Sequence, residues 1–180
     1  QGMDAVFLNN ELTYGKPGEI RFGASPDTDP AVVADIAELY SRAGIAHVVE
    51  PDIKRRMWTK LMMNVGVNQT CMVYGGTYGS VTERGSEQRR SLVAAMREAR
   101  VVANAEGVAI AESDLSQMVE LLETLDPEGM PSMAQDRIAR RKTEVEEFSG
   151  TICRLAAEHG IEVPQNEWLY QRIREIEASW

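Results

Sequence analysis

A mainly helical protein with a short mixed α/β stretch at its N-terminus is the fold class this sequence predicts, on three observations. After Pro51, apolar residues recur at three- and four-residue spacing almost to Trp180. Capping residues and glycine or proline stops divide that pattern into helix-sized pieces. Before Pro51 the apolar runs are short and strand-like, with one helical pattern between them. The 180 residues suit one domain, or one and a part, enough to bury about 70% of the unfolded surface.

Taken in order, Ala5-Val6-Phe7-Leu8 reads as a strand, Tyr14-Gly15-Lys16-Pro17-Gly18 as a turn, and Glu19-Ile20-Arg21-Phe22-Gly23 as a second strand. Asp27 to Pro30 offers a helix start, Ala31 to Ala43 carries the apolar stripe, and Gly44 stops it. Ile45 to Val49 makes another short strand. This strand, strand, helix, strand order over residues 1–50 is too small for a stable domain of its own, and residues 51–180 form the second domain. Gln1-Gly2 ahead of Met3 fits the scar of a cleavable tag or a cut inside a longer chain.

From Asp52, a cap, one helix runs to about Tyr74, where Gly75 and Gly76 end it. A second covers Ser86 to Ala105, with Leu92, Val93, Met96, Ala99, Val102 and Ala103 on its buried side. Ser113-Asp114 opens a third, through Leu122, and Asp126-Pro127-Glu128-Gly129-Met130-Pro131 is a break. Ser132 caps a long helix reaching His159, and a last helix spans Gln165 to Ser179. Glu144 falls twelve residues after Ser132, a little over three turns, so a continuous helix would let both face one cleft.

The first long helix carries the most informative pattern. Lys60, Asn64 and Asn68 stand at i, i+4 and i+8, which puts one amine and two carboxamides on one stripe. Met57, Trp58, Leu61, Met62, Val65 and Val67 surround them, so the segment reads as packed. A lysine there is either paired with a carboxylate or desolvated, and either arrangement suits a proton donor to a carbonyl oxygen. Spacing alone favours a solvent-facing stripe. Ser132 and Glu144 likewise have plain readings, as a helix cap and as part of a solvated charge run with Glu146, Glu147, Arg140, Arg141 and Lys142.

A net charge of -9 argues against general affinity for nucleic acid or anionic membrane. The basic clusters Lys54-Arg55-Arg56, Arg89-Arg90 and Arg140-Arg141-Lys142 read as solvated helix faces. Cys71 and Cys153 have no metal-like or redox spacing, and neither His47 nor His159 has a companion ligand, so no metal site is expected. With no signal peptide and no apolar run near the ~20 residues that span a bilayer, a cytoplasmic location is expected. Gly75-Gly76-Thr77-Tyr78-Gly79 reads as a connector between helices rather than a phosphate loop, since no strand leads into it. Trp168, Tyr170 and Trp180 read as core or dimer packing.

Three motifs in order extend from about Pro51 to the C-terminus. They are Trp58-Thr59-Lys60 followed by Asn64 and Asn68; Ser132-Met133-Ala134-Gln135-Asp136 followed by Thr143-Glu144; and His159-Gly160-Ile161-Glu162-Val163-Pro164-Gln165-Asn166. This set resembles the C-terminal domain of ketopantoate reductases. The resemblance implies an all-helical domain of the 6-phosphogluconate dehydrogenase C-terminal-like type, preceded over 1–50 by the last part of a Rossmann domain. It implies NADPH-dependent reduction of a 2-oxo acid to a 2-hydroxy acid, ketopantoate to pantoate in the parent family. Lys60 would be the general acid, Glu144 its partner, and Asn64, Asn68 and Ser132 the substrate binders. NADP would be held by the early part of the Rossmann domain, because no Gly-x-Gly-x-x-Gly follows a strand in this sequence, and no cofactor-binding residue is assigned here.

Two positions depart from the family pattern. Ten residues after Asn68, where the family commonly has asparagine before glycine, stands Tyr78; shortly before Ser132, where another asparagine is common, stands Gly129. A relative of ketopantoate is therefore an open choice of substrate. The rival reading is a truncated, catalytically inactive helical domain that only dimerises. A domain released from catalysis has no chemical reason to keep Lys60, Asn64, Asn68, Ser132 and Glu144 together.

Overall fold

The computed structural model describes residues 4–8, 10–16 and 18–180; Pro17 and the start at Gln1-Gly2-Met3 lie outside them. The chain divides between Arg56 and Met57 into two compact units, a few residues beyond the boundary expected at 50/51.

In the first unit β1 (Asp4–Leu8) and β2 (Glu11–Lys16) pair antiparallel, with Leu8 opposite Glu11. The turn expected at Tyr14 to Gly18 is corrected in part, because β2 takes Tyr14, Gly15 and Lys16 into its ladder. The chain reverses before Glu11, and Asn10 there has φ 62°, a region asparagine tolerates better than most residues. β3 (Ile20–Phe22) pairs in parallel with β4 (His47–Val49), and α1 (Pro30–Arg42) is the crossover that parallel strands require. Asp29 caps α1, accepting from the Ala31 amide at 2.9 Å, and Pro30 starts it without an amide proton to satisfy. Phe22, Tyr40 and His47 cluster with ring centroids 5.5–6.1 Å apart. No described residue before Met57 is buried, and Ile20, Val32, Leu39, Ile45 and Val49 are 38–60% exposed. Parallel strands are normally covered on both faces, so this unit carries an apolar surface that it does not bury.

The second unit is an all-helical bundle around α2 (Ile53–Tyr74). Asp52 caps α2 by accepting from the Arg55 amide at 2.9 Å, and Gly75 ends it at φ 67°. Residues 65–72 are all buried, so the middle of α2 is enclosed on every side. α4 (Glu87–Ala105) approaches it closely at Gly66, where a Cβ would stand 2.5 Å from Met96 Cγ and 3.0 Å from the Leu92 carbonyl. Between them Tyr78–Thr82 forms a short α3, where only a connector was expected. Its start is set by a reciprocal cap in which Thr77 and Ser80 each accept the other's amide. α5 (Glu112–Glu123) follows, then α6 (Ser132–Ala139), a π-helical turn (Glu146–Gly150), α7 (Thr151–His159) and α8 (Pro164–Ala178).

The long helix expected from Ser132 to His159 is therefore three pieces. α6 stops at Arg140, which turns left-handed at φ 50°, and Arg141 folds back on Asp136 through its amide and guanidinium. Thr143 is held by α8, since both its amide and its hydroxyl donate to Glu177 Oε1 at 2.8 Å. These tertiary bonds override a helical periodicity that was locally sound. Continuous-helix geometry thus gives no ground for placing Ser132 and Glu144 on one cleft.

A buried polar chain ties the bundle together. The Gln69 amide group donates to the Val65 carbonyl at 2.7 Å and accepts from the Ser149 amide at 3.2 Å. Ser149 Oγ donates to Asn166 Oδ1 at 3.2 Å, and Asn166 Nδ2 reaches Glu98 Oε2 at 2.7 Å. Glu98 also accepts the amides of Gln165 and Asn166, both at 2.8 Å, and so caps α8 from α4. The Gln165-Asn166 part of the third motif is in this structure a packing device.

Candidate functional site

The α2 stripe is a gradient of burial. Successive members stand about 6 Å apart along the axis. Asn68 is buried, while Asn64 and Lys60 are half-buried. Asn68 Oδ1 accepts from Ser132 Oγ at 3.2 Å and lies 3.5 Å from the Met133 amide. Two of the five residues singled out in the sequence, Asn68 and Ser132, are thereby in contact across 64 positions of chain. Ser132 is not the cap of α6 that its place after a proline suggested. Pro131 holds the cap position with an extended backbone and offers no side-chain acceptor, so Ser132 is the first helical residue and its hydroxyl turns to Asn68. The carboxamide of Asn68 stands in for the missing cap.

Arg137 explains why α6 starts there. Its Nη1 donates to the carbonyls of Met72 and Val73, at 2.5 and 2.6 Å, in the last turn of α2. Those carbonyls have no partner within the helix, and a guanidinium at the negative end of the dipole satisfies them. One residue of α6 is thus fastened to the end of α2, and the start of α6 falls beside Asn68. Gln135 Nε2 donates to the Met130 carbonyl at 3.0 Å, which fixes the loop leading in. Sequence reasoning missed Arg137 because nothing local marks an arginine that caps a helix sixty-odd residues upstream.

Ser132 and Glu144 are exposed. Among the described residues neither Lys60 nor Glu144 takes part in an ion pair, so the structure does not join the pair that the resemblance implies. The basic clusters offer no free anion site in Arg89 or Arg141, which pair with Glu123 at 2.6 Å and Asp136 at 2.8 Å. Burial pushes the Cys71 thiol up to about 12 and the Cys153 thiol up to about 11, so neither is a ready nucleophile. No group of three or more potential metal ligands occurs among the described residues, and no helix there is long and apolar enough to cross a membrane.

The β3–α1 link is not built to hold a dinucleotide's phosphates. The link from β3 to α1 starts at Gly23, where a Cβ would lie 2.4 Å from the Glu50 carbonyl, so that glycine serves close packing. The α1 start carries the Asp29 carboxylate and Pro30, which put negative charge and a missing amide where a phosphate would need donors.

The fold is an all-helical bundle whose central helix carries a lysine and two asparagines, one of which, Asn68, meets a serine at the start of a second helix. Residues 52–177 match the sequence model described as "Ketopantoate reductase PanE/ApbA C terminal", and the chain belongs to that family. Among relatives, a 2-dehydropantoate 2-reductase of Halobacterium salinarum is 31% identical over 158 residues, covering 87% of this chain and 51% of the relative. The fold is similar to that of a dimeric ketopantoate reductase from Staphylococcus aureus, with a TM-score of 0.85 at 22% identity over 98% of this chain and 60% of that one. A D-mandelate dehydrogenase in complex with NADH and anilino(oxo)acetate has a TM-score of 0.77 at 21% identity, over 87% of this chain and 65% of that one. The chain spans about half the length of the curated relatives it matches.

Proposed function

We propose that this chain supplies the substrate-binding and catalytic half of an NADPH-dependent reductase that converts a 2-oxo acid, ketopantoate or a relative, to the 2-hydroxy acid. The observation that carries the reading is the Asn68–Ser132 contact, on the same α2 stripe as Lys60 and Asn64, within the segment that the family model matches. The first unit is then the tail of a dinucleotide-binding domain whose cofactor cradle lies outside these residues. Its parallel β3-α1-β4 order and uncovered apolar side chains support that assignment.

The chemistry assigned to this chain is binding and proton delivery. The Ser132 hydroxyl, which donates to Asn68 Oδ1 here, would turn to the carboxylate of a 2-oxo acid when substrate binds, and the start of α6 adds the positive end of a helix dipole. Asn64 and Asn68 orient the ketone, one and two turns from Lys60. When hydride reaches the ketone carbon, negative charge grows on its oxygen, and the Lys60 ammonium stabilises that charge and gives the proton. Glu144 is assigned as the carboxylate that steadies Lys60 once the site is assembled.

Titration of the chain with NADPH, with and without ketopantoate, tests the division of labour. The expected result is no cofactor binding alone, and turnover once a dinucleotide-binding domain is supplied. Tight NADPH binding by the chain alone would place the cradle within it and overturn the division. No turnover in the assembled enzyme would leave the helical domain as a dimerisation module without catalytic function.

A further inference from the structure

A cleft of about 440 Å³ opens where the end of α2, the first turns of α4 and the start of α8 meet, and none of Lys60, Asn64, Asn68, Ser132 and Glu144 lines it. Its size falls within the roughly 300–1,000 Å³ of small-molecule sites. One wall is a pair of aromatic rings, Tyr74 and Trp168, with centroids 6.2 Å apart and planes at 42°. Trp168 is 39% exposed, so part of its ring is open to the cleft and to solvent. Ser91, Ala94 and Gln165 also line the cleft, together with two opposite charges, Glu87 and Arg90.

Glu87 and Arg90 stand three residues apart on α4, the spacing at which side chains on a helix are neighbours, with Cβ atoms about 5–6 Å apart. They do not pair with each other. Glu87 Oε1 accepts from the Tyr74 hydroxyl at 3.1 Å, and Arg90 Nη1 donates to the Gly85 carbonyl at 2.7 Å. Each charge is thus held by a neutral partner, and neither has an ion pair among the described residues. Gln165 Nε2 donates to Ser91 Oγ at 3.0 Å, and the Ser91 hydroxyl lies against the Tyr74 phenol, which donates on to Glu87. Burial first, and then the bond to Glu87, raise the phenol above its ordinary value, so it remains a donor at neutral pH. The carboxylate is fixed on the cleft wall with no cation to neutralise it.

A phosphate in this cleft would meet Glu87, and a simple cation would meet Arg90. A ligand with both signs on neighbouring groups satisfies both. We propose that the cleft binds a free α-amino acid with an aromatic or large apolar side chain, its ammonium on Glu87, its carboxylate on Arg90 and its side chain against Tyr74 and Trp168. With Nη1 given to Gly85, the Arg90 guanidinium keeps Nε and Nη2 for the carboxylate. The ammonium gains further from the faces of the two rings. Every lining residue belongs to the helical unit, so the site stands apart from the reductase reading and does not depend on it.

The test titrates the full chain with L-phenylalanine and with three analogues: 2-phenylethylamine, which lacks the carboxylate, 3-phenylpropionate, which lacks the amine, and glycine, which lacks the side chain. The indole N–H resonance of Trp168, assigned with Trp168→Phe, reports binding by NMR. L-Phenylalanine is expected to saturate, and each analogue to bind about tenfold more weakly, the scale of one charged hydrogen bond or one apolar side chain. Glu87→Gln, which keeps an acceptor for Tyr74, should weaken L-phenylalanine about tenfold without weakening 3-phenylpropionate. Arg90→Gln should weaken L-phenylalanine as much without weakening 2-phenylethylamine. An otherwise unchanged spectrum verifies that each variant is folded. Analogues that bind as well as L-phenylalanine, or folded variants that leave its affinity unchanged, overturn the roles of the two charges. No saturable shift of Trp168 with L-phenylalanine overturns the site, and neither result touches the reductase reading.

Discussion

Arg137→Met isolates the fastening that positions α6. Methionine keeps the aliphatic stem and removes the guanidinium, so packing changes little while the two bonds to Met72 O and Val73 O, 2.5 and 2.6 Å long, disappear. A hydrogen bond to a charged group contributes about 1.5–3 kcal/mol net. Both bonds here leave the same nitrogen, so they count as rather less than two, and the helix dipole adds a few tenths. The loss is expected at about 2–3 kcal/mol, read as a fall in Tm of about 6–10 °C for a unit of this size. Circular dichroism melting measures it, and Arg137→Lys should recover part of the loss, because one ammonium can still reach one carbonyl. A Tm within 2 °C of the parent would show that the end of α2 is satisfied some other way, and that Ser132 owes its position to something else.

Glu98→Gln, which leaves one acceptor for the three donors gathered at the start of α8, should cost about 1–2 kcal/mol, and chemical denaturation would show it as a lower midpoint at unchanged m-value. Limited proteolysis should remove residues before Met57 while the bundle from α2 onward resists, because no described side chain of the first unit is buried; equal resistance of both units would refute this. Thiol labelling should be slow at pH 8 for Cys153 and absent for Cys71 until unfolding. The sign for stability follows: both thiols ionise later folded than unfolded, so their contribution to stability is constant below pH 9.0 and is lost as pH rises toward about 11 and 12. Stability that rose across that range would contradict the burial of both thiols.

Much of the bundle was legible because its signals are local. Asp52, Ser86, Gly44, Gly75 and Gly107 mark helix ends, and the caps and positive φ values fall where those residues stand. The failures that matter for the site are long-range, although the extent of β2 and the short α3, set by its local Thr77–Ser80 cap, were also missed. α6 ends at Arg140 because Asp136 and Glu177 hold the following residues, and no rule of periodicity contains Glu177. Ser132 looked like a cap because serine after proline usually is one, yet Asn68 supplied the acceptor from another helix. In the site, the i, i+4, i+8 stripe was readable as a stripe, but which end of it is anchored was not. That depended on Arg137 and on a contact 64 residues apart.

That anchoring separates the roles of the residues on the stripe. Asn68 is buried and bonded to Ser132, so the end of the site assigned to the substrate carboxylate is preorganised before anything binds. Lys60, two turns away and half-buried, has no ion pair among the described residues, so in the proposed reductase it is substrate and Glu144 that would have to place its ammonium. Ser132→Ala should then act chiefly on KM, since it removes a contact made equally in ground and transition states. Lys60→Ala should act chiefly on kcat, by about a hundredfold or more, because charge on the ketone oxygen exists only as hydride is transferred. Steady-state kinetics of the assembled enzyme distinguishes the two, and a Lys60→Ala variant that raised KM alone would make Lys60 a binding residue and require another proton donor.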